Sequence, residues 1–440
     1  LLNAIWLGLM LVAVLWAAFA GTMGAVKNEA LASAEFAISF VIKLTGAMVL
    51  FLGLMRVAQE GGLLRAVARG LRPVLRRLFP DVPPEHPAMG AMIMNLASNV
   101  LGLGNAATPF GLKAMVELDR LNRTPGVASD SMILFLAINA TSVSLFPLGV
   151  IAMRASLGSS SPDAIWGPTL LATTASTATA VAICLGLRRL PAFAAPPAAP
   201  GRPAPDREAG PEPDPGEPDT LPARPGPVPA GARLVIAGFA LGLAVALALH
   251  VREAVHDAPL GTVLKDVFSA WFLPVFMVSL LLVGLAGRVR VYEAAVQGGR
   301  EALDVAVRIV PFLVMILVAI GMLRASGALD GMVRWIDPVT GALGFPAEAL
   351  PMALLRPLSG SGASGVMVEI MKRYGPDSFV GILVSAMNGS TETTFYVLTL
   401  YLGAARVRSA RYALGVCLAG DLAGYVVVTA ACHWLFGGLA

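Results

Sequence analysis

The sequence predicts an all-α polytopic membrane protein with two inverted-topology repeats, about nine full spans and two glycine-broken re-entrant segments. Three observations lead there: apolar blocks of spanning length, two semi-polar segments punctuated by glycine, and a recurrence of the same features on either side of a proline-rich tether. Of the 440 residues, 56% are hydrophobic and 14% charged, with mean hydropathy +0.74. That composition belongs to the membrane class.

The apolar blocks lie at 1–20, 36–57, 130–153, 165–187, 232–251, 267–287, 304–324, 378–403 and 411–436. Each is near the ~20 residues that cross a bilayer as a helix. The first lacks the basic n-region of a signal peptide, and Trp6 and Trp16 bracket its apolar stretch, so it reads as a retained span. Cys184, Cys417 and Cys432 fall inside apolar blocks with neither CxxC nor Cys/His spacing, which argues against a disulfide framework or a zinc site. No cofactor is expected. The net charge of +4 needs no nucleic acid, because membrane proteins gather Lys and Arg in cytoplasmic loops. Membrane lipids, a small-molecule or ion substrate and a homo-oligomer are the partners this class allows.

Residues 191–230 hold 14 prolines among scattered charges and cannot bury enough apolar surface to fold. They read as an extended tether, which divides the chain into a membrane half at 1–190, a linker at 191–231 and a membrane half at 232–440. Similar features recur across it in the same order. "GLMRVAQEGGLL" at 53 is echoed by "GMLRASGALDGM" at 321, "VLGLGNAATPFGLKAM" at 100 by "PLSGSGASGVMVEIM" at 357, and "NATSVSLFPL" at 139 by "NGSTETTFYVL" at 388.

Charge argues for the orientation. If both glycine-broken segments, 89–118 and 349–372, enter and leave on one side, the cytoplasmic stretches 56–123, 188–233, 288–308 and 406–411 carry 22 of the 32 Lys and Arg. Re-entry also inserts the second unit upside down, a recurrent transporter architecture. Folded back on themselves, the segments give arms of roughly 22 and 18 Å, enough to approach the centre of a ~30 Å core.

Irregular backbone at membrane depth is tolerated only when buried in protein or lining a wet cavity, so these segments mark the expected functional centre. In the first, Asn95, Asn99, Asn105 and Thr108 offer donors and acceptors suited to a neutral polar solute. In the second, Arg356, Ser359, Ser361 and Ser364 flank glycines that free backbone N–H groups at a helix start, which favours an anionic or carbonyl group. The Asn/Ser/Thr-rich spans add Asn139, Asn388, Ser390, Thr391 and Thr393. The plain alternative is that small hydroxyl residues only pack helices together. Glu392 and Asp421 lie within spans and are the ion-coupling candidates, since an intramembrane acid is functional by default. The competing reading is an ion pair with Arg356 that fixes the bundle. Arg65, Arg69, Arg72, Arg76 and Arg77 form a basic amphipathic stretch suited to anionic headgroups.

No catalytic signature accompanies them. GxxxxGK[ST], HExxH and GxSxG are absent, and Ser361 has no His or Lys at depth to activate it as a nucleophile, so an enzyme is not expected.

"NLASNVLGLGNAATPFGLKAMVELDRLN" resembles the signature of spore maturation protein A, and "LLRPLSGSGASG", "YGPDS" and "MNGSTETTFYVLTLYLG" resemble spore maturation protein B. The chain is thus similar to a fusion of the two, in the group carrying the nucleoside recognition or gate domain, which is related to parts of concentrative nucleoside transporters. The resemblance implies a bacterial inner-membrane protein with a transport-like core and a cytoplasmic linker. The alternative it carries is a non-transporting scaffold or regulatory protein. Carried over residue by residue, it marks Asn95, Asn99, Gly104, Asn105 and Thr108, then Ser359, Gly360, Ser361, Gly362, Asn388, Ser390, Thr391, Glu392 and Thr393.

Overall fold

The structure is a computed structural model and describes residues 2–102, 107–193, 228–256, 260–342 and 344–439. Asn105 and Gly104 of the first broken segment, and most of the tether, lie outside the described residues. Among those described the regular structure is helical, with one isolated bridge between Val127 and Ser409.

The first half begins with α1 (Leu2–Ala20) and the long α2 (Met23–Glu60), followed by the basic α3 (Leu63–Leu78). A hairpin comes next, α4 (Pro87–Val100) and α5 (Ala107–Arg120), then α6 (Asp130–Thr141), α7 (Leu148–Ser156) and α8 (Trp166–Leu187). Two connecting helices follow, α9 (Ala230–Ala254) and α10 (Leu260–Ala286). The second half repeats the order: α11 (Val291–Ala325), α12 (Ala328–Ala342), a hairpin of α13 (Leu350–Leu355) and α14 (Gly360–Tyr374), then α15 (Phe379–Ser390), α16 (Thr394–Ala404) and α17 (Ala413–Phe436).

Among the described residues, five helices are long and apolar enough to cross a membrane: α2, the stretch ending in α8, α9, α11 and α17. The chain is a multi-pass membrane protein. Seven of the nine apolar blocks are continuous helices, with α1 and α10 completing the set. The other two, 130–153 and 378–403, are not the full helical spans the sequence predicts. Each is a pair of short helices around an unwound break, α6 and α7 about residues 142–147, and α15 and α16 about residues 391–393. Pro147 lacks an N–H and steers Phe146 away from helical angles. In the second break Thr391 and Thr393 are β-branched, which lowers their preference for the helix.

Equivalent helices run antiparallel, which makes the repeat an inverted one. Gly53 of α2 lies against Ala295 of α11, while Glu29, at the other end of α2, pairs with Arg324 at the other end of α11. A Cβ on Gly53 would come within 2.7 Å of the Ala295 carbonyl oxygen, so only glycine allows this approach. Likewise the Ser176 hydroxyl of α8 donates to the Gly420 carbonyl of α17 at 2.8 Å, and Gly167 faces Leu435.

The same contacts show that the glycine-broken segments fold back. Arms of 14 residues, as in α4 and α5, reach about 21 Å, short of a ~30 Å core. At one end of the bundle the loop after α5 joins the loop after α16: Ala128 N–H donates to the Ser409 carbonyl at 2.9 Å, and Arg411 pairs with Asp130 at 2.6 Å. At the other end the loop after α14 joins the loop after α7, with the Ser160 N–H donating to the Asp377 carboxylate at 2.7 Å. Had both segments spanned, each of these loop pairs would be divided between opposite sides.

Candidate functional site at the meeting of two breaks

The tip of each hairpin meets the break in the span of its own half. The Leu145 N–H donates to the Val100 carbonyl at 2.8 Å in the first half, and the Phe395 N–H donates to the Pro357 carbonyl at 2.9 Å in the second. Gly102 turns the first tip at φ +72° beneath the Phe146 carbonyl, a left-handed conformation that a side chain would strain. The two breaks also meet each other, through a 2.8 Å hydrogen bond from the Glu392 N–H to the Ala140 carbonyl. Side chains take up further freed carbonyls: Trp166 Nε1 donates to Leu145 O at 2.8 Å, Thr177 to Thr141 O at 3.3 Å, and Arg356 to Thr391 O. This is how unwound backbone survives at membrane depth.

Three predicted asparagines gather on the first side. Asn99 Nδ2 donates to Asn139 Oδ1 at 2.9 Å, and Asn95 Nδ2 donates to Ala107 O at 2.8 Å and Tyr401 Oη at 3.2 Å. Tyr401, which the sequence reading did not single out, comes from the other half on α16 and closes the cluster at 3.5 Å from Asn139 Oδ1. Asn388, the counterpart of Asn139, reaches Ser364 at 3.4 Å. Each asparagine at the end of the helix before a break therefore touches the hairpin of its own half. The Oδ1 atoms of Asn95 and Asn388 are buried and have no hydrogen-bond partner among the described residues.

The second side carries the charges. Arg356 is buried and lies 4.0 Å from the Glu392 carboxylate, which is 48% exposed although Thr391 and Thr393 on either side are buried. Asp421 is buried and accepts from the Thr394 hydroxyl at 2.7 Å; its Oδ1 has no hydrogen-bond partner among the described residues. The expected pairing of an acid with Arg356 is therefore met by Glu392, with Asp421 held by a hydroxyl.

Several predicted residues serve local structure. Ser359 caps α14 by accepting from Gly362 N–H at 3.0 Å, with Ser361 3.5 Å away. Ser364 and Ser390 also donate to backbone carbonyls within their own helical turns. Thr393 is buried beside Gly360, and Thr108 is half-buried on α5.

Two ionic groups went unpredicted as site residues. Arg154 is fully buried and bridges the halves, bonding to Asp377, Pro376 O, Ser159, Ser161 O and Pro162 O. Burial pulls the Asp377 carboxyl up, but hydrogen bonds from Ser159 and Ser160 and the Arg154 charge hold it below its ordinary value. Glu369, also buried, lies 2.7 Å from Arg324. No group of three or more metal-ligating side chains occurs among the described residues.

The family model described as nucleoside recognition matches residues 41–157 and 306–407, the two regions that hold the hairpins and breaks. Spore maturation protein B of Bacillus subtilis (strain 168) is 45% identical over 169 residues, covering 38% of this chain and 95% of that protein. Spore maturation protein A of the same organism is 43% identical over 173 residues, covering 39% of this chain and 88% of that protein. The two match different halves. No solved structure matches the chain. With two relatives matched over nearly their whole length and a family model falling on both broken regions, the chain belongs to the nucleoside recognition, or Gate, family.

Proposed function

We propose that this protein is a carrier for a small polar solute, bound between the two hairpin tips and the two breaks. The observation that carries the reading is Glu392: a half-exposed carboxylate between two buried threonines, at the point where the halves meet. A carboxylate is expensive at membrane depth and is retained where it faces a polar path or partner. Glu392 is the leading ion-coupling group and Asp421 the second. The amides of Asn95, Asn99, Asn139 and Asn388 and the Tyr401 hydroxyl supply donors and acceptors for a neutral, hydrogen-bonding solute, and the family name makes nucleosides the first class to try. The reading assigns no catalysis. It sets the end that holds Arg56, residues 188–193 and Arg411 toward the cytoplasm of a bacterium, in the inner membrane, on the Lys and Arg excess there.

One observation favours a second reading. The Arg356–Glu392 pair could act as a fixed brace in a non-transporting scaffold or regulatory protein. Thermal-shift titration of purified protein with nucleosides, amino acids and organic acids separates the two. The carrier reading expects at least one class to stabilise the wild type and not Glu392→Gln; a flat response across the panel, identical in both proteins, favours the scaffold.

A further inference from the structure

The halves carry the same two motifs in the same two places and connect them differently. GLMR at 53 and GMLR at 321 lie on the antiparallel α2 and α11, and each arginine reaches a glutamate toward the start of the other helix. Arg56 lies 3.1 Å from Glu301, and Arg324 lies 2.6 Å from Glu29. MVEL at 115 and MVEI at 367 lie on the returning arms of the hairpins, α5 and α14, and set Glu117 and Glu369 at matched, buried positions.

In the second half the motifs meet. Arg324 Nε is 2.7 Å from Glu369 Oε1, and Gly365, one turn earlier, brings α14 so close to α11 that a Cβ would fall 2.6 Å from Ile316. In the first half they are apart. Glu117 pairs with Arg120 on its own helix at 2.7 Å, α5 packs its Gly111 against Tyr401, and Arg56 is held by Glu60 and Glu301.

We infer that Arg324–Glu369 and Arg56–Glu117 are alternative latches, one at each end of the bundle. The first is closed in this conformation, and the second closes when the halves exchange roles. Inverted repeats make the exchanged arrangement available to the same sequence, and a population follows from its free energy. The local charges permit the swap without stranding any of them. When Glu369 leaves, Arg324 keeps Glu29, as Arg56 keeps Glu301 here. Glu369 can then take Lys372 three residues on, as Glu117 takes Arg120 here. An uncompensated buried charge, the usual barrier to moving an ion pair, is thereby avoided.

The inference rests on the carrier reading for its purpose, but its test needs no solute, so the two can fail separately. Spin labels at Gln59 and Arg123 report one end, and labels at Lys27 and Tyr374 the other, in the full chain in lipid nanodiscs with the three native cysteines replaced by alanine. Glu369→Gln is expected to shorten the first distance and lengthen the second together, shifting the ratio of conformers about tenfold or more. Adding Arg56→Gln should abolish the shortening. Arg120→Gln, at an exposed site, removes the Arg120 partner of Glu117 and should shift the ratio the same way. The proposal is overturned if the second distance lengthens with the first unchanged, if the double variant still shortens it, or if Arg120→Gln moves neither.

Discussion

Glu392 and Ala140, which lie in different halves of the chain, are joined by a 2.8 Å hydrogen bond between the Glu392 N–H and the Ala140 carbonyl. The bond forms only because both spans unwind at matched places, and it sets the Glu392 carboxylate where the halves meet. Everything proposed for this protein depends on that junction and on the packing that holds the inverted halves together.

That packing is tested at glycine. Gly53→Val would drive a side chain into the Ala295 carbonyl, 2.7 Å from an ideal Cβ, and should lower stability in detergent by about 2 kcal/mol or more. Gly46 lies in the same helix with open space around it, so Gly46→Ala should be neutral or stabilising by up to about 1 kcal/mol. Thermal unfolding of both variants reads the contrast.

Tyr401 links α16 to the asparagines of the other half. Tyr401→Phe keeps its stacking on Phe135, 6.0 Å between ring centroids, and removes only the hydroxyl. The stability loss should be about 1 kcal/mol, yet solute-induced stabilisation should fall at least as far as it does in Asn139→Ala. Unchanged solute response in Tyr401→Phe would remove the hydroxyl from the site.

Arg154 should be the most sensitive ionic residue for stability. Arg154→Met removes the guanidinium that Asp377 and three carbonyls share, at a cost of about 3 kcal/mol. Asp377→Asn leaves Arg154 its carbonyl and hydroxyl partners and should cost less. Denaturation midpoints in the same detergent give the order.

The pH dependence follows from the same pair. The folded-state pKa of Asp377 is depressed below its ordinary value of 3.8. Its contribution is therefore fully present above that value and is lost as pH falls through the lower folded-state pKa. Wild-type stability should decline on acidification below about pH 4 more steeply than that of Asp377→Asn. Parallel curves for the two proteins would contradict the assignment.

Much of this was legible in the residues. Glycine, proline and asparagine in 89–118 and 349–372 forecast the hairpins, and the charge bias forecast that they fold back. The breaks at 142–147 and 391–393 were harder, because an apolar run of spanning length looks alike whether its helix is continuous or interrupted. Asn139, Pro147 and the threonines were visible there, but only the hairpin tips pressing on the backbone reveal the unwinding. Tyr401 was illegible for another reason: its partners come from the opposite half, and no local pattern encodes a contact between inverted repeats. Glu369 carries no local mark either, because its partner Arg324 lies on another helix.

The most direct test of the central claim is solute uptake into proteoliposomes holding wild type or Glu392→Gln, across nucleosides, amino acids and organic acids, with and without a proton or sodium gradient. The account predicts gradient-dependent uptake of at least one class by the wild type, reduced tenfold or more in Glu392→Gln, a rise of about 1.4 kcal/mol in the transport barrier. Uptake at the level of empty liposomes for every class, from wild-type protein shown to be folded and correctly inserted, would contradict it.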